Sequence, residues 1–503
     1  PIPPPPPAAP RAAVVGAGPA GLFCALELLR AGRRVVLLER GKEVQARRRD
    51  VAALNRGEPA DPDSNYCFGE GGAGAYSDGK LYTRSGRPEQ VRAVLEELVA
   101  HGAPPEILWS WRPHVGSNRL PKVIEAVRRS LLAGGAELRF GARVEALIVA
   151  ERPDGGRRVR GVRLAGGEEI AAEAVVLATG HSALDAQRLA VAAGAPAEAK
   201  GFALGVRVEH PQAWLDRIQY RGARETAHLP PAFYELKTQV DERGVYSFCM
   251  CPGGWIVPSQ AEPGTLVVNG MSLARRDSPF ANSGLVVAVE PKDWCGKRGW
   301  RWGWPEVLRR AAAVSDHPLL HEEIADPRGG PPVRVAEGRL PVHPAIDPFF
   351  GVRLQVALET LAAHAGGGDN RAPAQRCDHF VAGAGEVAPP LPTSYRPGLT
   401  PADFDAILPR GVARRLRRAM REFDRLLPGF AGAEGQIVGV ETRTSSPVRL
   451  RRDPETLAAP GLAGLHPCGE GAGYAGGIVS AAIDGRRVAA AVVAATAPPP
   501  APA

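Results

Sequence analysis

Short apolar runs alternate in this chain with stretches in which apolar residues recur at helical spacing. The run at 11–15 predicts a strand, the stretch from Pro19 to Arg30 predicts a helix, and the run at 34–38 predicts a second strand. Pro19 suits the first turn of a helix, where its missing N–H costs nothing, and Gly32 suits a helix end. The pattern therefore predicts a strand–helix–strand unit at the start of the chain.

The rest of the chain carries the same two patterns. Further helices are predicted at 88–101, 120–133 and 408–427, and further strands at 137–140, 143–149, 159–164, 174–178, 202–208, 244–250, 254–257 and 265–269. The Asp-Gly-Gly turn at 154–156 joins two of these strands as a hairpin. Strands dominate from about 201 to 275, so this region is predicted to be a β-rich substrate domain.

The turn after the first strand has the composition of a phosphate-binding loop. Gly16 makes the tight turn, Gly18 lets the backbone approach a pyrophosphate, and Gly21 lets helix and strand pack closely. The free N–H groups at the helix start would hold phosphates, and Glu39 at the end of the second strand would accept a hydrogen bond from a ribose hydroxyl. We predict a dinucleotide site here; the alternative is an ordinary glycine-rich loop.

A second glycine-rich segment occupies 65–81, with glycine at five positions from 69 to 79. Such a segment forms neither a helix nor a stable strand interior. Its use would be to press backbone against a flat or phosphorylated ligand. A flexible surface loop is the alternative interpretation.

A third glycine-rich segment lies near the end of the chain, at 465–478, between an apolar strand and a helix of small residues. It predicts another backbone cradle, about 450 residues after the first. An NAD dehydrogenase completes its nucleotide site locally, whereas a flavoprotein of the glutathione-reductase type completes its FAD site with its last strand and helix. The position of this segment therefore favours FAD over NAD.

Composition narrows the class of protein without changing this picture. The 503 residues are 44% hydrophobic and 23% charged with a net charge of +8, and no compact basic block with interleaved aromatic residues occurs, so nucleic-acid binding is not favoured. The seven cysteines show no CxxC pair and no zinc-ligand spacing. We therefore expect free thiols, no metal site and a reducing compartment, either cytoplasm or plastid stroma. No stretch reads as an integral membrane segment.

The segment at 292–349 interrupts the strand pattern. Four of the eight tryptophans, at 294, 300, 302 and 304, occur there among arginines, and a Pro/Gly-rich stretch follows. We interpret this segment as an insertion that the cofactor-binding core does not need.

Several motifs resemble a known family, the bacterial and plastid "uncharacterised FAD-dependent dehydrogenases" of the glutathione-reductase-like flavoprotein superfamily. The resembling stretches are 16–21, 68–81, 178–182, 205–210, 247–254, 441–449 and 468–485. Those at 68–81 and 468–485 are the specific ones, and together the stretches span nearly the whole chain. The segment 292–349 has no counterpart in the family.

The resemblance implies an α/β fold in which a discontinuous Rossmann-like FAD-binding domain holds an inserted β-rich substrate domain. The expected parts are a proline-rich lead-in at 1–10, the FAD-binding domain at 11–182 and 435–497, the substrate domain at 183–434 and a flexible tail at 498–503. The cofactor implied is FAD.

The expected cofactor-binding residues come from the three glycine-rich segments and from the resemblance. They are Gly16, Gly18, Pro19, Ala20, Gly21, Glu39, Arg40, Gly71, Gly72, Gly74, Lys80, Val144, Thr179, Gly180, Gly469, Glu470, Gly473, Gly476, Gly477 and Ile478. The resemblance implies that Val144 offers its backbone to the adenine and that Glu470 approaches the ribityl or pyrophosphate part. It also implies that Gly476 and Gly477 lie against the pyrimidine edge of the flavin.

The function these observations favour is an FAD-dependent oxidoreductase that transfers a hydride between the flavin N5 atom and a small-molecule substrate. NAD(P)H and a redox carrier protein are both open as the electron partner. The alternative is a flavin-bound protein with a structural or assembly role, in which the Trp/Arg-rich insertion is the docking surface.

Three residues are the catalytic candidates. Arg443, with hydroxyl side chains beside it, would hold an anionic substrate through two parallel hydrogen bonds, and Lys80 would supply a second cation. Cys251 would be a reactive thiol if a nearby cation lowered its pKa. The alternatives are structural ion pairs for the two cations and core packing for the cysteine.

Overall fold

The computed structural model describes residues 2–83, 86–221, 228–383 and 387–496. The chain divides into two compact units, which are described separately below. Unit 1 comprises Pro1–Asp50, Pro62–Glu198 and Val448–Ala503, and unit 2 comprises Val51–Asp61 and Ala199–Pro447. The predicted tail at 498–503 lies outside the described residues, as does Pro1 of the predicted lead-in.

The strands are numbered in chain order. They are β1 (Arg11–Val15), β2 (Arg34–Leu38), β3 (Glu137–Arg139), β4 (Val144–Glu151), β5 (Arg157–Leu164), β6 (Glu169–Ala171), β7 (Ala174–Leu177), β8 (Ala197–Ala199), β9 (Phe202–Pro211), β10 (Lys237–Val240), β11 (Arg243–Cys251), β12 (Trp255–Pro258), β13 (Val268–Met271), β14 (Phe280–Val289), β15 (Glu323–Ile324), β16 (Val333–Arg334), β17 (Ala372–Arg376), β18 (Leu399–Pro401), β19 (Gln436–Glu441), β20 (Val448–Leu450), β21 (Leu462–Ala463) and β22 (Leu465–Pro467).

The α-helices are numbered in the same way. They are α1 (Pro19–Arg30), α2 (Val44–Asn55), α3 (Pro88–Ala100), α4 (Leu120–Ala133), α5 (Leu184–Ala192), α6 (Gln212–Gln219), α7 (Gly296–Trp302), α8 (Trp304–Val314), α9 (Pro318–His321), α10 (Phe350–Gly366), α11 (Cys377–Ala382), α12 (Arg410–Leu426) and α13 (Ile478–Ala495).

Unit 1 is built on a five-stranded sheet with the order β22-β7-β1-β2-β3, in which every pair is parallel. Its central strands are apolar because both faces of a parallel sheet are covered, and Ala13, Val14, Val36 and Val175 are fully buried. In such a sheet the carboxyl ends of the strands lie at one edge, where ligands bind. The three glycine-rich segments predicted from the sequence begin at or beside this edge.

A smaller sheet in unit 1 joins β4, β5 and β6 as an antiparallel meander, with β21 beside β5. The turn between β4 and β5 is the predicted hairpin, and the Asp154 carboxylate accepts a hydrogen bond from the Gly156 N–H at 3.0 Å. Val159, Val162 and Ile170 bury one face of this sheet in the core of the unit.

Unit 2 centres on a seven-stranded sheet with the order β10-β11-β14-β9-β19-β17-β18, antiparallel except for the pair β17–β18. The residues of β19 were expected in the FAD-binding domain, which we placed from 435 onward. In the structure β19 pairs with β9 and β17 of this sheet. The reason is that β19 is buried at all six positions, and the centre of the unit 2 sheet supplies both its hydrogen bonds and its apolar cover.

The Trp/Arg-rich segment at 292–349 belongs to unit 2. Trp294 and Trp304 are fully buried and Trp302 is 3% exposed, so three of the four tryptophans expected on a docking surface are core residues. The Trp304 indole N–H donates to the backbone oxygen of Asp293, and the Asp293 carboxylate is held by Arg243 through two hydrogen bonds. Large aromatic side chains bury more apolar area than any others, which explains this placement.

Candidate cofactor site

At two positions in the turn between β1 and α1 and the first turn of α1, any side chain would clash with the backbone. Gly16 has a φ of +103°, and a Cβ atom there would lie 2.4 Å from the carbonyl oxygen of Ala178. A Cβ atom on Gly21 would lie 1.9 Å from the carbonyl oxygen of Gly16. These contacts lock the turn against β7 and against the start of α1. The predicted roles of both glycines in a tight turn and in close packing are consistent with this geometry.

Glu39 ties three loops of unit 1 together at the end of β2. One carboxylate oxygen accepts from the Ala17 N–H at 2.8 Å, and the other accepts from the N–H groups of Gly41 and Gly69 at 2.9 and 3.0 Å. The side chain is buried. A carboxylate has about four acceptor positions, so three backbone donors leave room for one further donor such as a ribose hydroxyl.

The second glycine-rich segment folds against the first. The Gly71 N–H donates to the Ala17 carbonyl at 2.8 Å, and a Cβ atom on Gly72 would lie 3.1 Å from the Gly18 Cα atom. A Cβ atom on Gly18 itself would meet the Gly72 Cα atom at 3.8 Å. Two glycine backbones therefore face each other at the start of α1. Because neither residue has a side chain, the backbone at the start of α1 can approach a pyrophosphate closely.

Arg47 on α2 holds this second segment in place, and sequence reasoning did not single it out. Its guanidinium is fully buried and donates to the backbone oxygens of Asn65, Tyr66, Gly69, Glu70 and Gly72. Burial lowers the pKa of Arg47. One arginine among many in a polar stretch carries no local signal of such a role, because the contacts join residues about 20 positions apart.

Glu70 lies beside this clamp and is fully buried. One carboxylate oxygen accepts from the Val44 N–H at 2.7 Å and lies 3.4 Å from Arg128. Burial raises the pKa of Glu70 to about 7 against the opposing effect of these two donors. A group with this pKa changes its charge near neutral pH at the edge of the glycine-rich segment.

The third glycine-rich segment is anchored by a buried ion pair. The Arg452 guanidinium contacts the Asp484 carboxylate at 2.6 Å, and the same carboxylate accepts from the Gly469 N–H at 2.8 Å. Arg452 also lies 3.8 Å from the centre of the Tyr474 ring. Sequence reasoning missed this pair, because its members are 32 residues apart and Arg452 lies outside the motifs.

Several predicted glycines border open space. A Cβ atom on Gly180 or Gly476 would have no atom of the described residues within 4 Å, and one on Gly477 would meet only the Ser480 hydroxyl, at 3.9 Å. Gly471, in contrast, packs on Gly180, where a Cβ atom would lie 2.4 Å from its carbonyl oxygen. Unit 1 therefore keeps backbone-lined space beside β7 and beside the start of α13.

The other predicted cofactor residues occupy varied positions in unit 1. Arg40 is engaged by protein groups, because it donates to Asp63 and Asp185 and lies 4.3 Å above the Phe68 ring. Val144 begins β4 opposite Leu164. The remaining ones lie at the start of α1 (Pro19, Ala20), in the second glycine-rich segment (Gly74), after β7 (Thr179) and around the start of α13 (Glu470, Gly473, Ile478).

The three catalytic candidates lie in different units. Lys80 belongs to unit 1, where its ammonium lies 3.8 Å from the Asp78 carboxylate. Arg443 belongs to unit 2, where its Nε and Nη2 atoms donate to both carboxylate oxygens of buried Glu359 at 2.9 and 2.8 Å. An anionic substrate at Arg443 would have to share the guanidinium with this carboxylate.

Cys251 ends β11 in unit 2 and is fully buried. Its thiol donates to the Cys249 carbonyl at 3.2 Å, and the Arg207 guanidinium approaches its sulfur at 3.8 Å. The same guanidinium is paired with Glu441 at 2.7 Å. Four further thiols behave as core groups, since burial raises the pKa of Cys24, Cys295, Cys377 and Cys468.

Comparison with known proteins decides the family. The profile of FAD dependent oxidoreductases matches residues 11–115, and that of FAD-dependent proteins with the C-terminal domain-like region matches residues 201–301 and 334–444. An uncharacterized protein of Clostridium beijerinckii is 37% identical over 486 residues, which are 95% of this chain and 80% of that protein. The chain belongs to this family of FAD-dependent proteins. Its cofactor is FAD, and the absence of side chains at Gly18 and Gly72 beside the start of α1 suits the close approach of a pyrophosphate.

Solved structures of low identity resemble parts of this FAD-dependent protein. CtdE in complex with FAD is 10% identical with a TM-score of 0.32 and covers 97% of this chain and 84% of its own. THI4 of Thermovibrio ammonificans is 20% identical with a TM-score of 0.27 and covers 38% of this chain and 64% of its own. Among the described residues no helix is both long and apolar enough to cross a membrane.

Proposed function

We propose that this FAD-dependent protein is a dehydrogenase or reductase that transfers a hydride between the flavin N5 atom and a small-molecule substrate. The observation that carries the proposal is the cradle formed by Gly18, Gly72 and Glu39, in which two backbones without side chains pack together at the start of α1 and one carboxylate fixes both segments. FAD supplies the hydride-transfer chemistry when it is bound. The chain supplies orientation, charge and exclusion of water.

Two helix starts serve the cofactor in this proposal. The N–H groups at the start of α1 bind the pyrophosphate, and Glu39 accepts from a ribose hydroxyl. The start of α13 follows Gly477, which has no side-chain cap within the described residues, so its first N–H groups are available to an anionic edge of the flavin. A helix start favours a reduced, negatively charged flavin because its partial charge is positive.

A small cavity in unit 2 is the proposed substrate subsite. Its volume is about 150 Å³, and apolar side chains make most of its wall, with three polar residues at the rim: Trp255, Ile256, Val257, Met271, Leu273, Asn55, Ser394 and Arg396. Ser394 also contacts the buried Glu209, and burial raises the pKa of that carboxyl. A cavity of roughly this size accommodates one aromatic ring. The proposed substrate is therefore a small, largely apolar molecule with an anionic group near Arg396.

The roles of Lys80, Arg443 and Cys251 are part of this proposal. Lys80 and Arg443 would neutralise anionic groups of substrate or cofactor, and Cys251 would be the reactive thiol, with the Arg207 guanidinium 3.8 Å from its sulfur. NAD(P)H or a redox carrier protein would be the electron partner.

The seven free cysteines support a reducing compartment, for which we propose the cytoplasm. The alternative was a flavin-bound protein with a structural or assembly role that docks through the Trp/Arg-rich segment at 292–349. It loses support because three of the four tryptophans in that segment are buried.

Anaerobic reduction of the bound flavin tests the proposal. Purified holoprotein is mixed with NADH, NADPH or a reduced carrier protein, and flavin absorbance is followed. Rapid loss of the oxidised spectrum with one of these donors, followed by reoxidation with a small acceptor, is the expected result. A flavin that dithionite reduces but that none of the three donors reduces would overturn the proposed reaction and leave FAD binding intact.

A further inference from the structure

Unit 2 contains a second, larger cavity with a very different lining. Its volume is about 430 Å³, and five of its ten lining residues are arginines: Arg301, Arg310, Arg410, Arg414 and Arg417. Leu408 is the one large apolar residue that lines it, and the acidic members of the lining are Glu306 and Asp405. We call it the arginine cavity. It is separate from the FAD cradle, whose residues all belong to unit 1.

Three of these arginines have no carboxylate partner in the described part of the chain. Arg417 pairs with Asp405 at 2.7 Å and Arg414 pairs with Asp241 at 2.9 Å. Arg310 and Arg410, in contrast, donate only to backbone carbonyls. Glu306 and Asp405 offset only part of the positive charge of the five arginines, so a bound anion would stabilise this arrangement.

Arg301 is the simplest of the three to interpret. Its side chain is exposed and makes no hydrogen bond or ion pair with the described residues. No side-chain hydrogen bond or ion pair with the described residues therefore explains its position at the cavity. Its guanidinium has all five N–H donors available to a ligand.

Two helices begin at the arginine cavity and add to its positive potential. α8 follows Gly303 and α12 includes Arg410 and Gly411 in its first turn, and these three residues line the cavity. Neither helix start has a side-chain cap among the described residues, and α12 has no acidic residue in its first turn. The helix dipole favours negative charge at such a start.

We propose that the arginine cavity binds a small molecule that carries two or more phosphate groups. The planar guanidinium matches phosphate oxygens with two parallel hydrogen bonds, and several such groups around one cavity suit an oligophosphate better than a carboxylate. The charged groups of the lining, five guanidinium groups and two carboxylates, favour an anionic ligand over one recognised through a hydrocarbon part. α8 lies in the stretch 302–333, between the two ranges that match the C-terminal domain family.

The test is calorimetric titration of the FAD-loaded protein with inorganic pyrophosphate at constant ionic strength. We expect pyrophosphate to bind at least tenfold more tightly than sulfate. The variants Arg301→Gln and Arg301→Gln/Arg310→Gln should weaken pyrophosphate binding, the double variant by at least tenfold. Arg309→Gln is the matched control, because Arg309 is on α8 beside Arg310 and does not line the cavity. It should bind pyrophosphate like the wild type.

A second arm distinguishes the source of the phosphate groups. ADP that binds more tightly than pyrophosphate would assign the ligand to nucleotides, and equal affinity would assign it to the phosphate groups alone. The Arg301 side chain is exposed and makes no hydrogen bond or ion pair with the described residues, so Arg301→Gln should fold and keep the test valid. The proposal is overturned if sulfate binds as well as pyrophosphate, if both variants bind pyrophosphate like Arg309→Gln, or if duplex DNA or heparin binds where pyrophosphate does not.

Discussion

The carboxylate of Glu39 accepts a hydrogen bond from the backbone N–H of Gly69 at 3.0 Å, across 30 residues of sequence. The same carboxylate accepts from Ala17 and Gly41. One side chain thus fixes the relative positions of the first two glycine-rich segments. It couples the fold of unit 1 to the shape of the FAD cradle.

Replacing Glu39 with arginine should therefore release FAD and lower the melting temperature. A cofactor at about 100 times its dissociation constant stabilises the folded state by about 2.7 kcal/mol, and the variant loses this contribution as well as three hydrogen bonds. The flavin content and melting temperature of Glu39→Arg are compared with those of Glu106→Arg, an exposed control. Normal flavin content in Glu39→Arg would show that the carboxylate is not needed at the cradle.

Glu70 gives a prediction about pH. Burial raises its pKa from 4.5 to about 7 in the folded protein, so ionisation destabilises the fold as pH rises through this interval. The cost is absent at low pH and complete above about pH 7. Glu70→Gln removes it and should increase the free energy of unfolding at pH 8 by roughly 1 to 3 kcal/mol relative to pH 4.5. Urea denaturation at both pH values measures this, with the exposed Glu151→Gln as control.

If the wild type and Glu70→Gln show the same change in unfolding free energy between these pH values, the pKa of Glu70 is the same in the folded and unfolded states. The raised pKa would then be wrong. A change of opposite sign would indicate that Arg128 outweighs burial at this carboxyl.

The ion pair of Arg452 with Asp484 should be essential for the third glycine-rich segment. Asp484→Asn leaves a buried arginine without its counter-charge, and such a change costs about 3 to 5 kcal/mol. Removal of Arg487, which is 53% exposed and 4.0 Å from Asp484, should cost less than about 0.5 kcal/mol. Equal unfolding free energies for Asp484→Asn and Arg487→Gln would contradict the anchoring role.

Two tryptophans of the segment 292–349 should differ sharply. Trp304 is fully buried and Trp300 is 53% exposed. Trp304→Ala should destabilise the protein by about 3 to 5 kcal/mol, whereas Trp300→Ala should change its stability by less than about 0.5 kcal/mol. The measurement is chemical denaturation of both variants. If both variants lose little stability, the segment at 292–349 is a dispensable insertion, as the sequence predicted.

Local sequence patterns were sufficient where the structure depends on neighbours in the chain. The helix Pro19–Arg30 and the strands Arg11–Val15 and Arg34–Leu38 agree with the predicted limits, because proline, glycine and apolar runs mark them directly. Patterns of this kind also located the glycine-rich segments. They did not reveal the Arg47 clamp, since its five acceptors are carbonyl groups that any residue type carries.

The domain assignment of β19 and of the tryptophan-rich segment depends on which distant strand or helix covers an apolar face. An apolar strand at 436–441 suits either a parallel or an antiparallel sheet. Its pairing with β9 and β17 assigns it to the sheet of unit 2. The arginine-rich pattern around the tryptophans suggested a surface. Burial of Trp304 against Asp293 shows that local charge does not determine exposure.

Gly18 offers the most direct test of the FAD cradle. Its φ of −77° suits any residue, and a Cβ atom there would meet only the Gly72 Cα atom at 3.8 Å, so alanine fits the protein itself. The methyl group would occupy the space assigned to the pyrophosphate. The measurement is the dissociation constant of FAD for Gly18→Ala, with Gly244→Ala as control, because a Cβ atom on Gly244 has equally ample room at 3.9 Å. We predict at least about tenfold weaker binding, or about 1.4 kcal/mol, for Gly18→Ala alone. Equal FAD affinity in the two variants would contradict the cradle.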